Sequence, residues 1–164
     1  VGGEPFLVPE LVSSIFKQVK QYDIYTSVIT NGAFATVCPD LDMIGVSIYS
    51  FDADTNLRIG RGHLKFKKVL DMRNEAKRMG VMFKVNTVVN QQNVREDFNA
   101  HMQLLDVDRW KALQVLKVER ENGNSFDALT HSQYLTPSSV HSWTDTVRTK
   151  RSLPSQMQSC AHLT

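Results

Sequence analysis

Cysteine is scarce in this chain, and its scarcity sets the first limit. Only Cys38 and Cys160 occur in 164 residues, far apart and outside any Cys-x-x-Cys spacing. A disulfide framework and a cysteine-built zinc site are therefore excluded, and a reducing compartment is expected. Long apolar runs are missing as well: nothing approaches the roughly 20 residues that cross a bilayer. The chain opens at Val1 with no methionine and no signal or transit-type segment, so it is expected to be a piece of something longer. Gly-x-Ser-x-Gly and the Gly-Lys-Ser/Thr of a phosphate-binding loop are absent, which removes the usual hydrolase and P-loop signatures. The histidines do not assemble a metal site either, since His131, His141 and His162 lie at unconvincing spacing in an irregular region.

A surplus of one charge is lacking where it would matter. Residues 1–129 hold 16 Lys and Arg against 16 Asp and Glu, and the net +2 comes wholly from residues 130–164, with 3 against 1. No clustered basic face is evident, so a general nucleic-acid surface is not expected, although a few inward lysines could meet a phosphorylated small molecule.

What is present is 41% hydrophobic composition, enough for the core of one domain. Leu11, Val12, Ile15, Phe16 and Val19 recur at helical spacing, and residues 24–30 read as a short β run ending at Asn31-Gly32. Residues 41–49 form a second apolar run. Phe66, Val69, Leu70, Arg73 and Ala76 make a helical stripe that Gly80 closes, and residues 81–89 are the clearest strand. Asn93 with Glu96 three positions on resembles a capping box opening a helix that carries Val94, Phe98, Met102 and Leu105, and residues 109–118 form a last strand. The order is αβ(short α)βαβαβ, which predicts parallel strands with helices outside them. Residues 130–164, with 13 Ser or Thr and two Pro, predict an irregular tail with one helical turn near residues 141–147. Two units follow: a domain over 1–129 and a tail over 130–164.

Chemistry gathers at a few positions. Gly2, Gly3 and Glu4 place bare backbone beside a carboxylate ahead of a helix, an arrangement that can hold an ammonium group or be a simple turn. Strand alternation puts Lys84 and Asn86 on one face and Phe83, Val85 and Thr87 on the other. A lysine inside a parallel sheet is costly without an anion, so that face suggests a ligand pocket, an edge strand with a solvated lysine being the alternative. Lys111 repeats the logic beside Arg109 and Leu113, and two lysines facing one cavity would suit a polyphosphate. Trp110, on the opposite face, is expected in the core. Arg61 between two glycines could grip a carboxylate, and Asn31 and Ser50 follow strands where barrel enzymes build their sites; singly, each is also an ordinary turn residue. His101 is expected to be a satisfied, partly buried side chain.

The ordered set Gly2-Gly3-Glu4-Pro5-Phe6-Leu7, Ile29-Thr30-Asn31-Gly32, Ser50-Phe51-Asp52, Ile59-Gly60-Arg61-Gly62, Phe83-Lys84-Val85-Asn86 with Val89-Asn90 and Asn93, and Arg109-Trp110-Lys111 through Glu119-Arg120-Glu121-Asn122 resembles the viperin-like radical S-adenosylmethionine enzymes over Val1 to about Leu129, with a fainter likeness near residues 134–147. That resemblance implies an α/β fold: a partial (βα)6 barrel, incomplete at its N-terminal end, with an irregular C-terminal tail. It also implies a 4Fe-4S cluster, S-adenosylmethionine, an electron donor, and conversion of cytidine triphosphate (CTP) to its 3'-deoxy-3',4'-didehydro analogue, an antiviral chain terminator. Matched motif by motif, Gly2, Gly3 and Glu4 would hold the methionine amine, Ser50 and Arg61 the cofactor's ribose and carboxylate, and Lys84, Asn86 and Lys111 the nucleotide, with Asn31 shaping the cavity beside the cofactor. The family's Cys-x-x-x-Cys-x-x-Cys motif would lie before Val1, and its C-terminal lid segment has no recognisable counterpart here, so the chain alone is expected to be inactive and poorly soluble. The resemblance implies a cytoplasmic setting, with the cytosolic face of the endoplasmic reticulum or lipid droplets among the candidates, and membrane attachment cannot be judged from these residues. Two other readings stay open: a related radical enzyme acting on another phosphorylated substrate, and a non-catalytic interaction module.

Overall fold

The structure is a computed structural model, and it describes residues 3–34, 37–62 and 65–114. The expected tail over 130–164, Gly2, and the strand beyond Gln114 lie outside the described residues. After a 3-10 turn at Pro5–Leu7 the chain forms α1 (Pro9–Lys20), β1 (Ser27–Thr30), β2 (Met43–Ser47), α2 (Ala53–Arg58), α3 (Phe66–Met79), β3 (Met82–Val89), α4 (Asn99–Leu105) and β4 (Arg109–Gln114). The four strands lie in the order β1-β2-β3-β4, every pair parallel.

Sequential order with parallel pairing means that each crossover steps the same way and keeps its helix on the same side of the sheet. The core shows which side. Val28, Ile44, Val46, Ile48, Phe83, Val85 and Trp110 project from one face onto Val69, Met72 and Ala76 of α3 and Met102 and Leu105 of α4. β3 reads exposed, buried, then half-buried and buried in alternation, so Phe83, Val85, Thr87 and Val89 serve that core while Lys84, Asn86 and Val88 face away from it. A doubly wound sheet would cover both faces. This one is a barrel wall with α1, α3 and α4 outside and a second face that no helix covers among the described residues.

Local chemistry sets the ends of these elements. Gly80 takes φ 72° at the end of α3, the left-handed conformation that only glycine adopts without strain. Asp52 caps α2 by accepting from the Thr55 amide at 2.7 Å. Lys20 and the Thr26 amide both reach the Asp42 carboxylate, at 2.5–2.6 Å, and tie the end of α1 to the start of β2.

Two sequence expectations need correction. No helix lies between β1 and β2 among the described residues; the short helix follows β2 instead, where Asp52 supplies a cap that apolar periodicity does not reveal. Asn93 and Glu96 do not open a helix. α4 starts at Asn99, because both side chains are spent elsewhere: Asn93 Nδ2 donates to the carbonyls of Tyr49 (2.6 Å) and Val88 (3.0 Å), and Glu96 reaches the loop after β2. The stripe on α1 is only half used: Val12 and Phe16 pack on the core, while Leu11 and Ile15 are 58% and 47% exposed.

Candidate functional site

The open face of the sheet is built by register. Gly45 of β2, Lys84 of β3 and Arg109 of β4 stand in one row, and Ser47, Asn86 and Lys111 stand in the next. The sheet therefore brings Lys84, Asn86 and Lys111 together as expected and adds Arg109 beside them. β3 has a neighbour on each side, so a solvated edge-strand lysine is excluded.

Three cations share this face, and none of them makes an ion pair among the described residues. Burial, followed by repulsion from Arg109 and then Lys111, pushes the Lys84 ammonium below its ordinary value. Between them, Asn86 Oδ1 is buried without a hydrogen-bond partner. A buried, unpaired amide oxygen costs roughly 1–3 kcal/mol, so its retention beside unneutralised cations calls for a ligand that is anionic and carries a donor group. Gly45 keeps the floor low: a Cβ there would meet Ile29 Cδ1 and lie 3.7 Å from Asn86 Nδ2.

The upper rim is formed by strand C-terminal ends. Glu4 sits at the end of β1, accepting from Thr30 Oγ1 (2.6 Å), the Asn31 amide (2.7 Å) and the Phe6 amide (3.2 Å). Oε2 takes only one of these bonds, so the carboxylate keeps acceptor capacity. Gly3, at φ 104°, has open space where a Cβ would be. Asn31 is exposed, and its Oδ1 accepts from the Ala33 amide at 2.8 Å, closing the turn after β1. The Arg61 guanidinium lies 4.1 Å over the Tyr49 ring, and its Nη2 donates to the Tyr49 hydroxyl at 2.6 Å. Ser50 is fully buried, and its hydroxyl donates to Glu96 Oε2 at 2.5 Å and accepts from the Asp52 amide at 2.9 Å. It organises the loop from beneath and does not face solvent.

Sequence reasoning passed over Tyr49, although it continues the parity of Gly45 and Ser47 on β2. It also misassigned Glu96, whose spacing from Asn93 suggested a local cap. Trp110 is in the core as expected, its Nε1 donating to Thr87 Oγ1 at 3.1 Å. His101 is partly buried but not satisfied: it stacks on Phe51 at 4.1 Å, and its buried Nδ1 has no hydrogen-bond partner. Two further cavities, of about 680 and 320 Å³, lie by α1 and at the end of α3, and none of the expected site residues lines either. Among the described residues no group of three His, Cys, Asp or Glu could hold a metal ion.

A one-sided wall of parallel strands with its polar residues at the strand ends defines part of a (βα) barrel. The fold matches the solved structure of TYW1 with a lysine-pyruvate adduct bound, at a TM-score of 0.66 over 90% of this chain and 47% of that one, with 18% identity. No protein-family model matches the chain. Curated relatives do. The S-adenosylmethionine-dependent nucleotide dehydratase of Fibrobacter sp. (strain UWH6) is 37% identical over 135 residues, 76% of this chain and 40% of the relative. The enzyme of the same name from Lacinutrix mariniflava is 33% identical over 160 residues, 89% of this chain and 33% of the relative. The S-adenosylmethionine-dependent nucleotide dehydratase RSAD2 of Oncorhynchus mykiss is 34% identical over 136 residues, 74% of this chain and 38% of the relative. The chain is homologous to the viperin-like, S-adenosylmethionine-dependent nucleotide dehydratases, and it spans between a third and two-fifths of the length of these three.

Proposed function

We propose that this chain is the barrel portion of a radical S-adenosylmethionine nucleotide dehydratase, with a nucleoside triphosphate on the open sheet face and the cofactor at the rim above β1 and β2. The observation that carries the reading is the unpartnered Asn86 Oδ1 set among Lys84, Arg109 and Lys111. A triphosphate would neutralise the cations, and a sugar hydroxyl or base amine would donate to Asn86. CTP is the nucleotide we assign, with the didehydro analogue as product and an external electron donor as partner.

The rim fits the cofactor. Glu4 has acceptor capacity for an ammonium, Gly3 leaves its backbone bare, and Arg61 is a forked donor for a carboxylate. Bound S-adenosylmethionine would supply hydrogen-atom abstraction from the sugar. The chain's own residues bind and orient: Lys84 and Lys111 fix the phosphates, Asn86 sets the sugar-base end, and Tyr49 holds Arg61 in place. A 4Fe-4S cluster does not fit the residues present, because it needs three thiolates and the chain has Cys38, which is buried, and Cys160. No step is assigned through it, and this chain by itself is expected not to turn over nucleotide.

The test offers CTP, other nucleoside triphosphates and a peptide to the full-length, cluster-reconstituted protein and follows products by mass spectrometry. Loss of water from CTP is expected. Modification of the peptide with the nucleotides untouched would overturn the reading.

A further inference from the structure

The rim loop after β2 and the loop after β3 are joined by one carboxylate that the proposed chemistry does not use. Glu96 Oε2 accepts from Ser50 Oγ at 2.5 Å, and Oε1 accepts from the Phe51 amide at 2.7 Å. Ser50 Oγ in turn accepts from the Asp52 amide at 2.9 Å and lies 3.2 Å from the Asp52 carbonyl. Asn93, three residues before Glu96, clamps the same two strand ends through Tyr49 and Val88, and its Oδ1 accepts from the Asn90 amide at 2.8 Å. Glu96 therefore reaches 46 residues back along the chain to hold a loop that no regular backbone ladder holds.

We propose that Glu96 is the positioning residue of the cofactor rim: it fixes Ser50 and Phe51 so that Tyr49 and Arg61, on either side of this loop, meet the ligand already arranged. The physical reason is the polarity of the Ser50 hydroxyl. With a carboxylate on its hydrogen and the Asp52 amide on its oxygen, it has one orientation, and charge-assisted bonds of this length are about twice as strong as neutral ones. The Phe51 amide, held by the second oxygen, sets the ring that stacks on His101 at 4.1 Å and meets Phe66 edge-on at 5.7 Å. The loop is thereby tied to α4 and α3 as well as to β3. A glutamine in place of Glu96 keeps the size but puts an amide donor where one acceptor stood: with its oxygen on the Phe51 amide, its NH2 faces the Ser50 oxygen, and the hydroxyl gives up the charge-assisted bond and turns its hydrogen to the Asp52 carbonyl. The inference rests on the reading that this rim receives the cofactor.

The experiment measures S-adenosylhomocysteine and CTP affinities by calorimetry, and Phe51 and Asp52 amide exchange, in the full chain and in Glu96→Gln, Ser50→Ala, the double variant, and the control Glu75→Gln, a half-buried carboxylate of α3 paired with Arg78. Expected for Glu96→Gln is a loss of S-adenosylhomocysteine affinity of about tenfold, a CTP change below about threefold, and exchange at the two amides faster by about tenfold. The double variant should lose little more than either single one, because both remove the same bond. Unchanged S-adenosylhomocysteine affinity in Glu96→Gln, equal losses for both ligands, or additive losses in the double variant would overturn the proposal. Absence of S-adenosylhomocysteine binding by the parent chain would overturn the cofactor reading itself, a result distinguishable because the exchange measurement still reports on the loop.

Discussion

Replacing Lys84 with methionine should move binding and stability in different directions. In the unliganded protein the Lys84 ammonium is held below its ordinary value by burial, then by Arg109 and Lys111, so the charged form is disfavoured in the folded state. The folded protein therefore binds fewer protons than the unfolded chain between the folded and unfolded values, and stability rises with pH through that window. Methionine removes the unfavourable charge and keeps the stem, so stability at neutral pH should not fall by more than about 0.5 kcal/mol, and the alkaline rise should flatten. Binding responds oppositely. An ammonium about 5 Å from a phosphate oxygen at an effective dielectric of about 20 contributes about 3 kcal/mol, of which screening and desolvation leave about half, or roughly tenfold in affinity. Calorimetry of CTP at about 0.05 and about 0.5 M salt should show that loss at low salt and a smaller difference at high salt. A variant that binds CTP as well as the parent, or that loses stability while keeping affinity, would refute the assignment of this face.

Two further expectations concern the frame. Gly80→Ala should cost about 1 kcal/mol in urea denaturation: its φ of 72° strains any other residue, while nothing within 4 Å obstructs the new methyl, and an unchanged midpoint would refute that assignment. The Asp42 carboxylate is held below its ordinary value of 3.8 first by Lys20 and then by the Thr26 amide. Its contribution is therefore complete above that value and is lost as the pH falls through the lower folded one. Asp42→Asn should weaken the protein near neutral pH and flatten its acid limb, and an acid limb of unchanged steepness in thermal melts would count against the linkage.

Much of this was legible in the sequence because strand parity is a local signal. The alternation of Phe83 and Val85 with Lys84 and Asn86 identified the two faces before any pairing was known, and Arg109-Trp110-Lys111 repeated the pattern one strand on. The placement of Lys84 away from an edge needed the strand order, which parity cannot give. Glu96 was misread because the capping-box rule looks three residues back, whereas its partners at Ser50 and Phe51 lie more than 40 residues away and become neighbours only when β2 and β3 pair. Leu11 and Ile15 show the converse limit: periodicity finds an apolar stripe but does not say how wide a strip the core covers.

Because α1, α3 and α4 pack on one face of the sheet, the two surfaces of each strand answer to separate demands. Residues such as Phe83 and Val85 are committed to cohesion, and shrinking either is expected to loosen the whole body by several kcal/mol, on the order of 3–5 for the phenylalanine. Their immediate neighbours in sequence bear almost none of that burden. A lineage could therefore exchange the groups at 47, 84, 86, 109 and 111 to favour a different molecule while the scaffold stays intact, and odd and even positions of a single strand would drift under unrelated pressures.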